Sequence, residues 1–484
     1  MAINYLFGSA ATVTISNGDH TFLMPDSSIR AGSDGVHLLS PGTFVTTFHN
    51  LGTVLAGSDG VEVFSAYSRI VNFGVINSIF NGIRINSSDA FASHRIVNYG
   101  SITALLPITT AASAAYDLSV TNSGSLVSIN DAHILLDNAN LGNIEVVNSG
   151  YMKGGELGMS ATGLATLINT GSIITTLIDA DSGSSARISN SGEIVDALGD
   201  AGGLVLRTGD SGDTVTNSGS IIGSVDLNAG ADLYRGMGSG FVTLGVDGDV
   251  GNDTLIGAAG KDHFDGGGNN DLLVGHGDDD TLLGDAGFDT LLGGEGNDSL
   301  DGGNNADTMN GNAGSDTLRG GFGNDLLVGQ EGDDLLDGGP GNDIMDGGSG
   351  DDVLEGGTSN DILRGRAGED DLAGGEGLDL LTGGQGADNF VFRSVADAGL
   401  GATRDQILDF EQGSDLIIVA GLHPGVFEFR GTAGFAPSGN PELRLFETPT
   451  GSTIVQMDAD GNGSVDAEIR VAAVIGLTEA DFVL

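Results

Sequence analysis

From Gly248 to Phe392 an apolar side chain returns at every ninth residue, from Leu255 and Phe264 through Met309 and Leu336 to Phe390. Two residues before each stands an aspartate: Asp253, Asp262, Asp271, Asp280, Asp289, Asp298, Asp307, Asp316, Asp325, Asp334, Asp343, Asp352, Asp361, Asp370, Asp379 and Asp388. Five residues before each Asp stands a Gly, from Gly248 to Gly383, and no insertion or deletion breaks the register. The unit reads G-[G/x]-x-[G]-x-D-x-U-x with U apolar, as in GGEGNDSLD from Gly293 to Asp301. Glycine adopts backbone shapes with φ > 0 that other residues resist, so the first six positions predict a tight loop. The last three predict a minimal strand with one side chain inward. Two units make one flattened coil, so the sixteen in this stretch predict about eight coils, stacked over roughly 38 Å at a strand spacing of about 4.8 Å.

A second rhythm occupies residues 1–240. The marker U-x-N-x-G-x-U occurs around Asn50, Asn72, Asn98, Asn122, Asn148, Asn169, Asn190 and Asn217, at spacings of 21 to 27 residues. Read as one strand, positions −2, 0, +2 and +4 share a face, which puts Asn inside with its apolar neighbours. A lone buried amide is costly, but stacked asparagines can bond one another from coil to coil. Three segments, DGVHLL, DGVEVF and NGIRIN, read as a further short strand each. Together these predict roughly ten coils of an irregular parallel β-helix; a β-sandwich is the competing fold. Residues 393–484 lose both rhythms and gain longer strands (DLIIV, VFEF, ELRLF, STIVQM, EIRV), placed to cover the open end of a stacked roll. The fold class is therefore all-β: a β-helix over 1–240, a β-roll over 248–392 and a β cap over 393–484.

Charge turns the roll into a chemical problem. The chain has 67 acidic and 17 basic residues, a formal net charge of −50, which argues against nucleic acid or anionic membranes as partners. Stacked coils place Asp above Asp, and two carboxylates about 4 Å apart repel by roughly 4 kcal/mol at an effective dielectric of about 20. A cation must lie between them. Calcium accepts six to eight oxygens in forgiving geometry, and the chain has no Cys and no regular His set to hold a softer metal. Without the ion, the repeat has the composition of a disordered chain.

The nonapeptides resemble the RTX (hemolysin-type) family, whose repeats form a calcium-bound parallel β-roll. The resemblance implies that each of the sixteen aspartates is a calcium ligand shared between coils. The fourth position departs from Gly at Asn269, Asp278, Asn305 and Ser359. Asn and Asp tolerate left-handed backbone, so Ser359 puts the site near Asp361 in most doubt. Residues 1–240 resemble the Asn-Gly repeats of secreted β-helical and autotransporter-like passenger proteins. NFVFRSVADAG, TRDQILDFEQGSDLI and the acidic-then-apolar end Asp481–Leu484 resemble the C-terminal domain and tail of serralysin-type RTX proteins. That resemblance implies export by a type I apparatus with an ABC exporter, a Gram-negative source and an extracellular location where calcium folds the chain. The opening MAINYLFGSAATVTISNG lacks the pattern of a secretory signal peptide, and no apolar run is long enough for a membrane span.

Catalytic motifs are not found. No His is followed by Glu, so H-E-x-x-H is missing, and no Ser has Gly at both −2 and +2. DADGNGSVDAE begins like a calcium loop at Asp458, Asp460 and Asn462 but has Ile469 where an EF-hand needs Glu; an Asp-rich hairpin turn is the competing reading. Arg69 and Arg95, with Tyr67 and His94, form the one basic cluster of the N-terminal half. They are what a β-helical polysaccharide lyase or epimerase would use. The reading favoured by the sequence is a secreted, non-catalytic calcium-binding surface, adhesion or matrix protein, with a cell-surface or polysaccharide ligand and that enzyme as the alternative.

Overall fold

Parallel strands make up nearly all the regular structure of the chain in this computed structural model. It describes residues 3–6, 9–10, 12–16, 20–24, 27–31, 34–39, 45–86, 92–110, 116–136, 142–180, 185–198, 203–419 and 426–484. Within the opening stretch, residues 1, 2, 7, 8, 11, 17 and 18 lie outside the described residues. Two units are distinguished, residues 1–258 and 259–484. Among the described residues no helix is long and apolar enough to cross a membrane.

The first unit is a parallel β-helix with three strands per coil. One coil runs Tyr67–Asn72, Val75–Ser78 and Asn81–Ile85; the next runs Ser93–Asn98, Ser101–Ala104 and Leu106–Thr110. Each strand pairs in parallel with its counterpart one coil away, Ile70 beside Ile96, Ile76 beside Ile102 and Ile83 beside Ile108. All six side chains are buried. Column by column, branched and apolar residues stack on themselves, as in Val54, Ile76, Ile102, Leu126, Met152, Ile173, Ile194 and Ile221. This in-register stacking is what the uneven 21-to-27-residue spacing in the sequence conceals.

The Asn marker is not one strand. Asn72 ends Tyr67–Asn72, and the chain turns at Phe73–Gly74 before Val75–Ser78 begins on the next sheet. The bend leaves both the −2 and the +4 residues, Ile70 and Ile76, facing the interior, so the apolar pattern survives a corner that periodicity alone reads as straight. A Cβ on Gly74 would collide with the carbonyl oxygen of Gly52 one coil away, which is why the marker needs glycine at that position. The asparagines form an unbroken ladder, all at most 1% exposed. The Nδ2 of Asn50 donates to the Oδ1 of Asn72 at 2.7 Å, and Asn72 to Asn98, Asn98 to Asn122, Asn122 to Asn148, Asn148 to Asn169 and Asn169 to Asn190 each at 2.8 Å. Asn190 donates to Asn217 at 2.9 Å, and Asn217 meets the Tyr234 hydroxyl at 3.5 Å.

His94 lies inside this helix, not on its surface. It is 1% exposed, its Nδ1 lies 2.9 Å from Ser68 Oγ, and its ring meets Tyr116 edge-on. Burial pulls its pKa down to about 4, from an ordinary value of 6.5. A base with a depressed folded pKa stabilises the fold above its unfolded pKa, and that stability drains away as pH falls through the window between the two values. The expected cost is about 2 to 3 kcal/mol near pH 4.5. Urea unfolding at pH 7 and at pH 4.5 measures it, and the drop should shrink in His94→Leu.

The second unit begins with a two-faced parallel roll. One face carries Leu273, Leu291, Met309, Leu327, Met345, Leu363 and Leu381 in register. The other carries Phe264, Leu282, Leu300, Leu318, Leu336, Leu354, Leu372 and Phe390. These two columns, at most 1% exposed, supply nearly all of the apolar core of the repeat. Most roll strands are longer than the three residues expected, as in Thr290–Glu295, where Gly294 and Glu295 also pair with the next coil, whereas His263–Asp265, Thr281–Leu283 and Asn389–Val391 keep three. Beyond the repeats, Asp405–Ile407 adds to the first face and Leu416–Ile418 to the second. An antiparallel ribbon follows, Glu442–Glu447, Thr453–Asp458 and Ala467–Val471, and a one-turn helix, Val395–Ala398, is capped by Ser394.

Candidate metal centre

Each repeat aspartate stands at a loop exit, immediately before its strand, and is at most 7% exposed. The backbone N–H of Asp298 donates to the Oδ1 of Asp316, and that of Asp316 to Asp334, both at 2.8 Å. The same bond links Asp271 to Asp289, Asp307, Asp325, Asp343, Asp361 and Asp379 along one edge of the roll. Along the opposite edge it links Asp262 to Asp280, Asp298, Asp316, Asp334, Asp352, Asp370 and Asp388. One carboxylate oxygen thus holds the neighbouring coil. The other oxygen, Oδ2, is buried without a hydrogen-bond partner in every repeat aspartate from Asp280 to Asp388. A buried polar atom left unpaired costs about 1 to 3 kcal/mol, more when charged.

The space at these oxygens is shaped by glycine. A Cβ on Gly320 would lie 2.6 Å from both Asp325 Oδ2 and the Gly338 carbonyl oxygen, and one on Gly338 would lie 2.6 Å from Asp343 Oδ2 and 2.7 Å from the Gly356 carbonyl oxygen. A carboxylate oxygen and a carbonyl of the next coil therefore open onto one small recess, which any side chain would fill. This all-oxygen, flexible-backbone donor set fits calcium. Gly320→Ala is expected to weaken calcium binding at that recess, read as a lower stoichiometry in equilibrium dialysis at limiting calcium, because its methyl group takes the space between the oxygens.

Electrostatics make the same demand. Burial first, then the carboxylates of Asp334 and Asp298, push the pKa of Asp316 up to about 7. Asp280, Asp307 and Asp352 rise to about 7 and Asp361 to about 8 for the same reasons. These groups resist ionisation at neutral pH unless positive charge is supplied.

The four departures from Gly at the fourth position all take left-handed backbone, with φ of 85° at Asn269, 69° at Asp278, 76° at Asn305 and 95° at Ser359. Ser359 therefore makes its turn despite its Cβ, and Asp361 accepts from Asp343 and donates to Asp379, both at 2.8 Å, like its neighbours.

Aspartates outside the nonapeptides continue the pattern. In the first unit the N–H of Asp213 donates to Asp232 Oδ1 at 2.6 Å and that of Asp232 to Asp253 Oδ1 at 2.7 Å. In the second, Asp379 donates to Asp405 at 2.8 Å and Asp388 to Asp415 at 3.1 Å. The repeat spacing misses these four residues, because their partners stand 19, 21, 26 and 27 residues away rather than the 18 that separates bonded repeat aspartates. The surviving signal is local: Asp213-Thr-Val215, Asp232-Leu-Tyr234, Asp405-Gln-Ile407 and Asp415-Leu-Ile417 all keep D-x-U.

Other candidates are placed differently. Asp458, Asp460 and Asn462 form the turn of the hairpin between Thr453–Asp458 and Ala467–Val471. There Asp458 accepts from the backbone of Asn462 and Gly463, and the oxygens gathered close together belong to Asp458, Asp460 and Asp466. Arg69 and Arg95 are neighbours in adjacent coils and exposed; Tyr67 is half-buried beside them, while His94 points inward. Asp34, His37 and Glu62 also bring ligand atoms together; His37 lies 3.2 Å from Asp34, and Arg84 lies 3.7 Å from Glu62.

The model of the RTX calcium-binding nonapeptide repeat (4 copies) matches residues 247–282, 283–318, 310–345, 319–354, 346–381 and 355–390. No curated protein is a significant match to the chain. Among solved structures, the chain is similar to the AlgE6R3 subunit of the Azotobacter vinelandii mannuronan C5-epimerase, at 25% identity over 37% of this chain and 78% of that one, with a TM-score of 0.21. It is also similar to the AlgE6R2 subunit of the same enzyme, at 26% identity over 33% and 86% of the two chains, with a TM-score of 0.20.

Proposed function

We propose, from a segment that carries RTX calcium-binding nonapeptide repeats, that this is a secreted calcium-binding protein whose roll is completed by calcium outside the cell. The aspartates from Asp253 to Asp388 serve as ligands along the two edges, and the β-helix of the first unit serves as a non-catalytic surface, adhesion or matrix element. The observation that carries this reading is the run of buried Oδ2 atoms without partners from Asp280 to Asp388, each opening beside glycine backbone. A structural aspartate would spend both oxygens on hydrogen bonds; these spend one.

Affinities of the extracellular type would tie folding to location. Each site stabilises the fold by RT ln(1 + [Ca²⁺]/Kd). At Kd values of about 10⁻⁴ to 10⁻³ M, submicromolar calcium adds almost nothing, whereas millimolar calcium adds roughly 0.4 to 1.4 kcal/mol per site. A column of such sites makes folding depend on the compartment. On this reading residues 393–484 act as a serralysin-type cap and Asp481–Leu484 as the signal for a type I exporter. Equilibrium dialysis against Ca²⁺ and Mg²⁺ tests the binding: many ions per chain with calcium and few with magnesium are expected, and one or two ions of either kind would defeat the proposal. Deleting the last four residues should abolish export from a host with the exporter; undiminished export would defeat that part alone.

A further inference from the structure

We propose that Asp405, which lies outside the nonapeptide repeats, forms one more calcium site together with Asp379, and that this ion ties the C-terminal segment to the roll. The inference rests on the reading of the repeats as calcium ligands and extends it to a residue that no repeat contains. Asp405 reproduces the carboxylate features of a repeat aspartate, with Leu400 standing where the repeat has its glycine. It is 0% exposed. Its Oδ1 accepts the N–H of Asp379 at 2.8 Å, and its Oδ2 is buried without a partner, as is the Oδ2 of Asp379. The charged groups that act on it are all acidic: Asp379, Asp397 and Asp361. The adjacent cation, Arg404, is engaged instead with Glu468 at 3.2 Å.

Asp415 is the instructive contrast. It occupies the equivalent place after Asp388 and accepts its N–H at 3.1 Å. Its second oxygen, however, accepts the N–H of Glu411 at 2.7 Å. Both oxygens are spent, so Asp415 closes its edge as a structural turn, whereas Asp405 closes its edge with an oxygen to spare. The position of Asp405 gives the ion a consequence. Its strand, Asp405–Ile407, pairs with Leu380–Gln385 of the roll on one side and with Ala467–Val471 on the other. An ion at Asp405 therefore couples calcium to the folding of the antiparallel ribbon.

The test counts bound calcium by equilibrium dialysis in the full chain and in three variants. Asp405→Asn keeps the Oδ1 acceptor and removes the charge; it should lose one ion. Asp415→Asn should lose none, and Asp316→Asn, inside the roll, should lose at least one. A wild-type count in Asp405→Asn beside a reduced count in Asp316→Asn overturns the inference and leaves the roll intact as a calcium binder. Wild-type counts in both overturn the roll reading itself. Because Asp405→Asn can also fail to fold, the wild-type chain supplies a second measurement by hydrogen exchange. Amides of Ala467–Val471 should gain protection at the same calcium concentration as those of Leu380–Gln385, with midpoints within about twofold. Protection of Ala467–Val471 in chelator overturns the inference.

Discussion

Chelation at neutral pH should strip the second unit of its strands. The two apolar columns contribute one buried side chain per nonapeptide, and against them stands the ordering of a chain rich in glycine, whose backbone loses more freedom on folding than any other. Like charges stacked along both edges add to the cost. In the chelated protein, far-UV circular dichroism should lose a large part of its β signal in one cooperative step, and millimolar Ca²⁺, but not Mg²⁺, should restore it. Protons should partly replace the ion. For an acid whose folded pKa is raised, here to between about 6 and 8 for residues such as Asp289, Asp316 and Asp361, folding is favoured below the unfolded value near 3.8. That advantage is lost as pH rises through the folded values. The metal-free roll should therefore keep most structure near pH 4 and lose it towards pH 8. A β signal indifferent to chelator at pH 8 would refute the prediction.

The second large effect is expected inside the Asn ladder. Asn122 accepts from Asn98 and donates to Asn148, both at 2.8 Å. Asn122→Ala removes both bonds at once, together with the donations of its Nδ2 to the Tyr151 and Gly124 carbonyls, and leaves the Asn98 amide and the Asn148 side-chain carbonyl each short of one partner in a site sealed from water. At about 1 to 3 kcal/mol for each buried group so exposed, the loss is about 2 to 5 kcal/mol. Urea unfolding in saturating calcium, which keeps the roll folded, measures it. Ser123→Ala, one residue along at an exposed corner, should change stability by only about 0.5 kcal/mol. Equal effects of the two substitutions would show that the ladder contributes nothing beyond its neighbours.

What could be read from the chain alone depended on whether a feature is periodic. The two columns of the roll and the aspartate edges follow from a nine-residue count that never slips. The Asn ladder follows from chemistry, because a polar residue fixed among inward apolar positions needs a partner, and stacking supplies one. The corner at Asn72–Gly74 was not legible, since an alternating pattern looks the same through a bend that keeps both flanking side chains inside. Nor was the interior position of His94: its neighbour Arg69 faces out from the adjacent coil, and one residue of register separates the two faces. Asp405 and Asp415 were hidden by the helix and turn inserted before them, Val395–Ala398 and Gly401–Thr403. These lengthen the coil beyond the repeat while D-x-U persists.

If the unpartnered carboxylate oxygens of the roll face calcium, crystals grown in calcium reveal the ions through their anomalous scattering. A row of peaks is expected along each edge, at about 2.3 to 2.6 Å from the Oδ2 atoms, one row including Asp325 and Asp343 and the other Asp316 and Asp334. A map with no peaks beside these oxygens, in a roll folded as described, would contradict it.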